Sequence, residues 1–145
     1  MCVWFRMSES PLIIRSTHQP LEAVCQRLAE VALSHKFGVL GTHDLRQKME
    51  SKGVPFGREC RVIEVCNPQQ AQSVLSRSIE VSAALPCRIS VYEENGRTIL
   101  ATIKPEVLLG IFDAPSAAPV AKSVEASLTE IMDETVSESR VAAGT

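Results

Sequence analysis

Hydrophobic and polar residues follow two different periods along this chain, and each stretch predicts a strand or a helix. The apolar run at residues 12–14 predicts a first strand. Between residues 20 and 36, apolar side chains recur every three or four positions, which predicts a helix. The apolar residues 39–40 predict a second strand, and Thr42 or Asp44 is placed to cap a short helix after it.

The middle of the chain predicts a strand that leads directly into a helix. Residues 60–66 predict the strand, Asn67 is placed to cap the helix, and Pro68 occupies its first turn. Gln70, three residues after the cap, completes a pattern that resembles a capping box. The helix is therefore expected to begin at a defined residue.

A hairpin is the strongest local signal in the chain. Residues 87–93 and 97–104 predict two strands, and Asn95-Gly96 between them is typical of a tight two-residue turn.

In the last third of the chain, the sequence predicts a linker followed by a helix. An apolar segment at 107–112 is followed by a Pro/Ala/Ser-rich linker at 113–119. Residues 120–136 then carry apolar side chains at helical spacing, which predicts the final helix.

The order of these elements predicts an α+β fold. Hairpins next to helical crossovers favour a two-layer sandwich, with helices packed on one face of a mixed, largely antiparallel sheet. We expect a single domain at residues 11–136, between flexible segments at 1–10 and 137–145.

Alternation along the strands indicates which face of the sheet the helices cover. One set of alternate positions is apolar and is expected to face the helices: Ile63, Val65, Ile89, Val91, Ile99 and Ile103. The opposite set is largely polar, and it is expected to be solvated, to line a groove or to pair with a second subunit: Val62, Glu64, Arg88, Ser90, Tyr92, Thr98, Leu100 and Thr102.

Composition narrows the classes of partner. The 145 residues carry a formal net charge of -2, which gives no general attraction to nucleic acid. No apolar run approaches the roughly 20 residues that span a bilayer, so no membrane partner is expected.

The start of the chain and its cysteine count indicate a cytoplasmic location. Residues 1–5 are apolar but too short for a secretory signal, and Met7 is an alternative start. Five cysteines form an odd set without an export signal, which favours reduced thiols over a disulfide framework.

Two short motifs stand out as a candidate site. Cys66-Asn67-Pro68 and Leu85-Pro86-Cys87-Arg88 each place a thiol beside a proline at a predicted junction of elements. Thiolates are nucleophiles and metal ligands, and a helix N-terminus can make a thiol more acidic.

With these motifs in view, the chain resembles the bacterial and archaeal domain-of-unknown-function 302 family. The resemblance runs from about residue 20 to 112 and includes the run Phe37-Gly38-Val39-Leu40, Val65-Cys66-Asn67-Pro68 and the segment from Leu85 to Glu93. It implies a compact α/β domain that commonly forms dimers. It implies no activity and assigns no role to His43 or Cys60.

Each candidate group has more than one interpretation. Cys66 is either a thiol of lowered pKa or a small buried residue at the end of a strand, and Cys87 is either its redox partner or a packing residue. Strand alternation points the two sulfurs to different faces of the sheet. Arg88 and Tyr92 together can hold a small anion or carboxylate, or they belong to an exposed strand or a dimer seam.

Other chemistry has weak support. Closed zinc sites use closely spaced Cys/His pairs, and Cys60, Cys66 and Cys87 are too widely spaced for that pattern, so no metal site is expected. Glycine-rich phosphate loops and nucleophile elbows are missing, and the cofactor, if there is one, stays unknown.

The sequence therefore favours a non-enzymatic, homodimeric, cytoplasmic domain that binds a small ligand or a protein partner. The expected ligand-binding residues lie in and around the two motifs: Cys66, Asn67, Pro86, Cys87, Arg88 and Tyr92. The alternative is a thiol-dependent redox or sulfur-handling protein that uses Cys66 with Cys87.

Overall fold

The structure is a computed structural model that describes residues 10–137. Its strands are β1 (Leu12–Thr17), β2 (Gly38–Asp44), β3 (Cys60–Cys66), β4 (Cys87–Glu94) and β5 (Arg97–Ile103). Its helices are α1 (Leu21–Ser34), α2 (Leu45–Glu50), α3 (Pro68–Leu75), α4 (Pro105–Leu109) and α5 (Ala117–Val136), with a 3-10 helix at Ile79–Ala84.

The five strands form one sheet in the order β1-β5-β4-β3-β2. All four strand pairs are antiparallel, so the described residues show none of the parallel pairing that a mixed sheet would add. Helices α1 and α5 pack on one face of this sheet and against each other. The predicted α+β fold, with helices on one face of a sheet, is confirmed.

The β4–β5 hairpin turns at Asn95-Gly96, as predicted. Both residues adopt positive φ, 54° and 77°, which matches the twist of a tight two-residue connection. The turn pairs Glu94 with Arg97, and the same register places Leu100 opposite Val91.

This register contradicts the predicted faces of β5. Residues directly opposite each other share a face, so Leu100 lies with Val91 on the covered face and is fully buried. Thr98 and Thr102 are buried there too, whereas Ile103 is 45% exposed on the open face. Both threonine hydroxyls donate to backbone carbonyls, of Gln19 and Arg88, each at 2.7 Å, which satisfies the buried oxygens.

The main core lies between the covered face and the two long helices. Val24 and Leu28 of α1 and Leu128 and Ile131 of α5 are fully buried against the strands. Each such side chain contributes about 1.5–3 kcal/mol when buried. His35, just after α1, also approaches Glu134 of α5 at 2.8 Å and links the ends of the two helices.

A second, smaller apolar cluster lies at one end of the sheet. The apolar segment 107–112 forms part of it through α4, and α5 begins at Ala117, earlier than the predicted residue 120. The cluster joins α3, the 3-10 helix, α4 and the start of α5 through these buried residues: Val74, Val81, Ala84, Leu109, Ala114, Ala117 and Ala121.

Two further observations concern membrane-spanning helices and the two ends of the chain. None of the helices at residues 10–137 is long and apolar enough to cross a bilayer. The segments expected to be flexible, 1–10 and 137–145, lie outside the described residues except for Ser10 and Ser137.

Candidate functional site

A cavity of about 670 Å³ opens at the end of the sheet where β3 finishes and β4 begins. All six residues that the sequence indicates for ligand binding line it: Cys66, Asn67, Pro86, Cys87, Arg88 and Tyr92. The two motifs, about twenty residues apart in sequence, therefore contribute to one concave surface.

The motif at Cys66 reaches the cavity because a helix starts immediately after β3. The Asn67 side chain accepts a hydrogen bond from the Gln70 backbone N–H at 3.1 Å, and Pro68 occupies the first turn. The reciprocal half of the expected capping box is absent, because the Gln70 side chain instead donates to Ser123 on α5 at 2.9 Å. That contact ties α3 to α5 across the cavity wall.

The motif at Cys87 reaches the cavity because β4 pairs with β3. Val65 is directly opposite Cys87, so Cys66 is one residue beyond that pair on the neighbouring strand. The Leu85–Pro86 peptide bond that precedes β4 is cis. Cys66 and Cys87 lie on different faces of the sheet, as strand alternation predicts. The cavity extends around the end of the sheet, so both residues line it.

The cavity wall is predominantly apolar. One part of it lies between the covered face and the helices, and it includes Val65, Val74 and Val124. The other part extends onto the open face through Val62, Ala101 and Ile103. A cavity of several hundred cubic ångströms with an apolar wall and a few polar groups is typical of small-molecule sites.

The two thiols differ from the reactive type that the helix position suggested. Burial raises the pKa of the Cys66 thiol, the opposite direction from the expected effect of the α3 N-terminus. Burial, with a smaller contribution from the negative charge of Cys66, raises the pKa of Cys87 to about 11. Both groups are therefore held as neutral thiols near pH 7, and Cys66 lacks the lowered pKa of an activated nucleophile.

A charged cluster lies on the open face at the rim of the cavity. Glu64 of β3 stands opposite Arg88 of β4, with Glu64 Oε2 3.5 Å from Arg88 Nε. Its other oxygen lies 3.3 Å from His43 Nε2. Gly41 leaves room for this carboxylate, since a Cβ at that position would lie 3.1 Å from Glu64 Oε1.

Ser90 and Tyr92 continue the polar row along β4. Both are partly buried and both line the cavity, on the same face of the strand as Arg88. Tyr92 is opposite Cys60 and Ile99, on the middle strand of the sheet.

Sequence reasoning missed two parts of this site. Glu64 was expected on the same face as Arg88, but its contact with His43 was not, because only the strand register brings these two residues together. The walls formed by α4 and α5 were also missed, because the apolar pattern at 107–112 is the same for a buried core and for a cavity wall. The lining residues in these walls are Pro105, Leu108, Leu109, Ile111, Phe112, Val120 and Val124.

The expected absence of a metal site stays a prediction. Across residues 10–137, His, Cys, Asp and Glu side chains form no group of three or more that could hold a metal ion.

Comparison with known proteins identifies the family. The family model described as "Domain of unknown function DUF302" matches residues 13–135, which is most of the chain. The chain belongs to the DUF302 family. The match includes β1 and α5 as well as the stretch that carries the two cysteine motifs.

A crystal structure of an uncharacterized conserved DUF302 protein from Bacillus stearothermophilus has the same fold. It shares 31% sequence identity with this chain at a TM-score of 0.83, and the alignment covers 88% of this chain and 98% of that one. No curated protein matches the chain. The comparisons therefore establish the family and the fold.

Proposed function

We propose that this DUF302 protein is a non-enzymatic binding protein that holds a small, largely apolar molecule in the cavity at the end of the sheet. The observation that carries the proposal is the cavity itself, about 670 Å³ in volume and lined by both cysteine motifs. Volumes of roughly 300–1,000 Å³ suit small organic ligands.

The chemistry of the wall supports binding over catalysis. Cys66 and Cys87 are protonated near neutral pH, because burial raises the pKa of each. The described lining residues include no aspartate, glutamate, lysine or histidine that would act as a general acid or base beside them. The wall therefore offers a bound molecule apolar contacts and a few oriented polar groups.

The same observations disfavour the redox alternative. A reactive thiol needs a substantial thiolate fraction, whereas burial raises the pKa of Cys66. We expect iodoacetamide to modify Cys66 of the native protein more slowly at pH 7.5 than it modifies the same residue in urea. If Cys66 of the native protein reacts as fast as Cys66 in urea, the thiol-dependent function is again supported.

Native mass spectrometry of gently purified protein tests the binding function. The expected result is a retained molecule on the wild-type chain that is lost from Ala71→Phe, because Ala71 lines the cavity on α3 and a phenyl ring there fills it. Ala126→Phe is the matched control, since Ala126 is exposed on α5 and does not line the cavity. If no added or retained small molecule binds the wild type, or if both variants bind alike, the proposal is wrong.

We further propose that the protein is a homodimer. Apolar side chains on the open face support this: Ile14 of the edge strand β1 lies on that face and is 47% exposed without lining the cavity. Light scattering should give a dimer mass for the wild type and a monomer mass for folded Ile14→Lys. A wild-type monomer at micromolar concentration would overturn the proposal.

We also propose a cytoplasmic location. All four cysteines in the described residues are free, which fits a reducing compartment. Fractionation of cells that produce the tagged protein should recover it with cytoplasmic markers, and recovery in an exported fraction would contradict this.

A further inference from the structure

We infer that the molecule held in the cavity is an amphipathic monocarboxylate, with its apolar part in the cavity and its carboxylate on Arg88. The inference rests on the proposed binding function and adds the chemical class of the ligand. It is carried by the charge of the wall: among the described residues that line the cavity, Arg88 is the sole charged one.

Arg88 is available for an additional partner. Its side chain is 57% exposed, and its contact with an acidic group in the described residues is a single one, from Nε to Glu64 Oε2 at 3.5 Å. Charge-assisted hydrogen bonds are usually about 2.7–2.9 Å long, so Glu64 holds Arg88 loosely. The terminal nitrogens of the guanidinium can therefore form a bidentate pair with a planar carboxylate.

The surroundings of Arg88 define the head group further. Ser90 and Tyr92 follow Arg88 on the same face of β4, and both line the cavity, so they add two hydroxyl groups to the same wall. Glu64 stands next to Arg88, and a dianionic phosphate would be repelled by this carboxylate more strongly than a monoanion. Because Arg88 already has the Glu64 carboxylate beside it, the pair suits a ligand head group that carries one negative charge.

The remainder of the cavity defines the tail. From the polar row on β4, the wall continues along aliphatic and aromatic side chains toward α4 and α5, such as Ile103, Leu108 and Phe112. Burial of a hydrocarbon chain there contributes roughly 0.8 kcal/mol for each CH₂ group removed from water. An apolar tail joined to one carboxylate therefore satisfies both ends of the site.

Calorimetric titration with matched eight-carbon probes tests the inference. Octanoate should bind the wild-type protein at least about tenfold more tightly than 1-octanol, and also more tightly than octyl phosphate. In Arg88→Gln the preference of octanoate over 1-octanol should disappear, while Arg88→Lys should keep part of it. Ala71→Phe should weaken both probes.

The outcomes separate the inference from the function on which it rests. If 1-octanol binds as well as octanoate and Ala71→Phe abolishes both, the cavity binds apolar molecules but the carboxylate assignment is wrong. Tighter binding of octyl phosphate, or an unchanged preference in a folded Arg88→Gln variant, would also overturn the assignment. If neither octanoate nor 1-octanol binds, both the inference and the proposed function fail.

Discussion

Single residues in the cavity wall show how burial and charge compete. Cys66 precedes the N-terminus of α3, where the helix dipole favours a thiolate, yet burial raises the pKa of this thiol. The sequence reveals the helix start through Asn67 and Pro68, so the dipole could be predicted. Desolvation could not, because it depends on side chains that only the folded chain brings around the sulfur.

The raised pKa of Cys87 predicts a loss of stability in alkaline solution. The unfolded chain releases this proton near pH 8.5, whereas the native chain keeps it up to about pH 11. As pH rises through this window, the unfolded state ionises first, so the free energy of unfolding should fall by about 2–3 kcal/mol.

Urea denaturation at pH 7.5 and pH 10.5 measures this effect. Cys87→Ala is the control, because it should be less stable at pH 7.5 but should lose less stability between the two pH values. An equal alkaline loss in the variant and the wild type would show that other groups cause it.

At the scale of elements, the apolar pattern of β5 and its strand register indicate different buried faces. Ile99 and Ile103 suggested one buried face, but the two-residue turn at Asn95-Gly96 pairs Glu94 with Arg97 and so buries Leu100. The turn was visible in the sequence, and counting outward from it gives the correct face. The error came from reading the apolar pattern of β5 alone, where both faces carry apolar residues.

The register of β5 predicts unequal effects of two truncations. Leu100→Ala should lower the free energy of unfolding by about 2–5 kcal/mol, because it removes a fully buried side chain. Ile103→Ala should cost about 1 kcal/mol or less, because this residue is 45% exposed. Chemical denaturation of the two variants checks the ranking, and a larger cost at Ile103 would contradict the observed register.

The start of α3 gives a second prediction for an element. Asn67→Ala should destabilise the protein by about 0.5–2 kcal/mol, because the Gln70 N–H loses its side-chain acceptor. Asn67→Asp keeps an acceptor and should stay close to the wild type. Urea midpoints measure both, and an Asn67→Ala variant as stable as the wild type would show that the cap contributes nothing.

At the scale of the whole molecule, the cavity is a product of topology. The open end of the sheet meets α3, α4 and α5, and these walls come from segments far apart in the chain. The sequence indicated six of the lining residues, five through the two cysteine motifs at the ends of elements and Tyr92 through its place on the polar side of β4. It could not indicate the α4 and α5 walls, since their apolar residues look the same whether they fill a core or line a cavity.

Amide chemical shifts of the isotope-labelled protein, followed by NMR during titration with 1-octanol, test the central claim most directly. If the cavity binds small apolar molecules, saturable shifts should concentrate at lining residues such as Ala71, Cys87 and Ala101, while Ala126 stays unchanged. Shifts that are absent, or that spread over the surface without saturating, would contradict it.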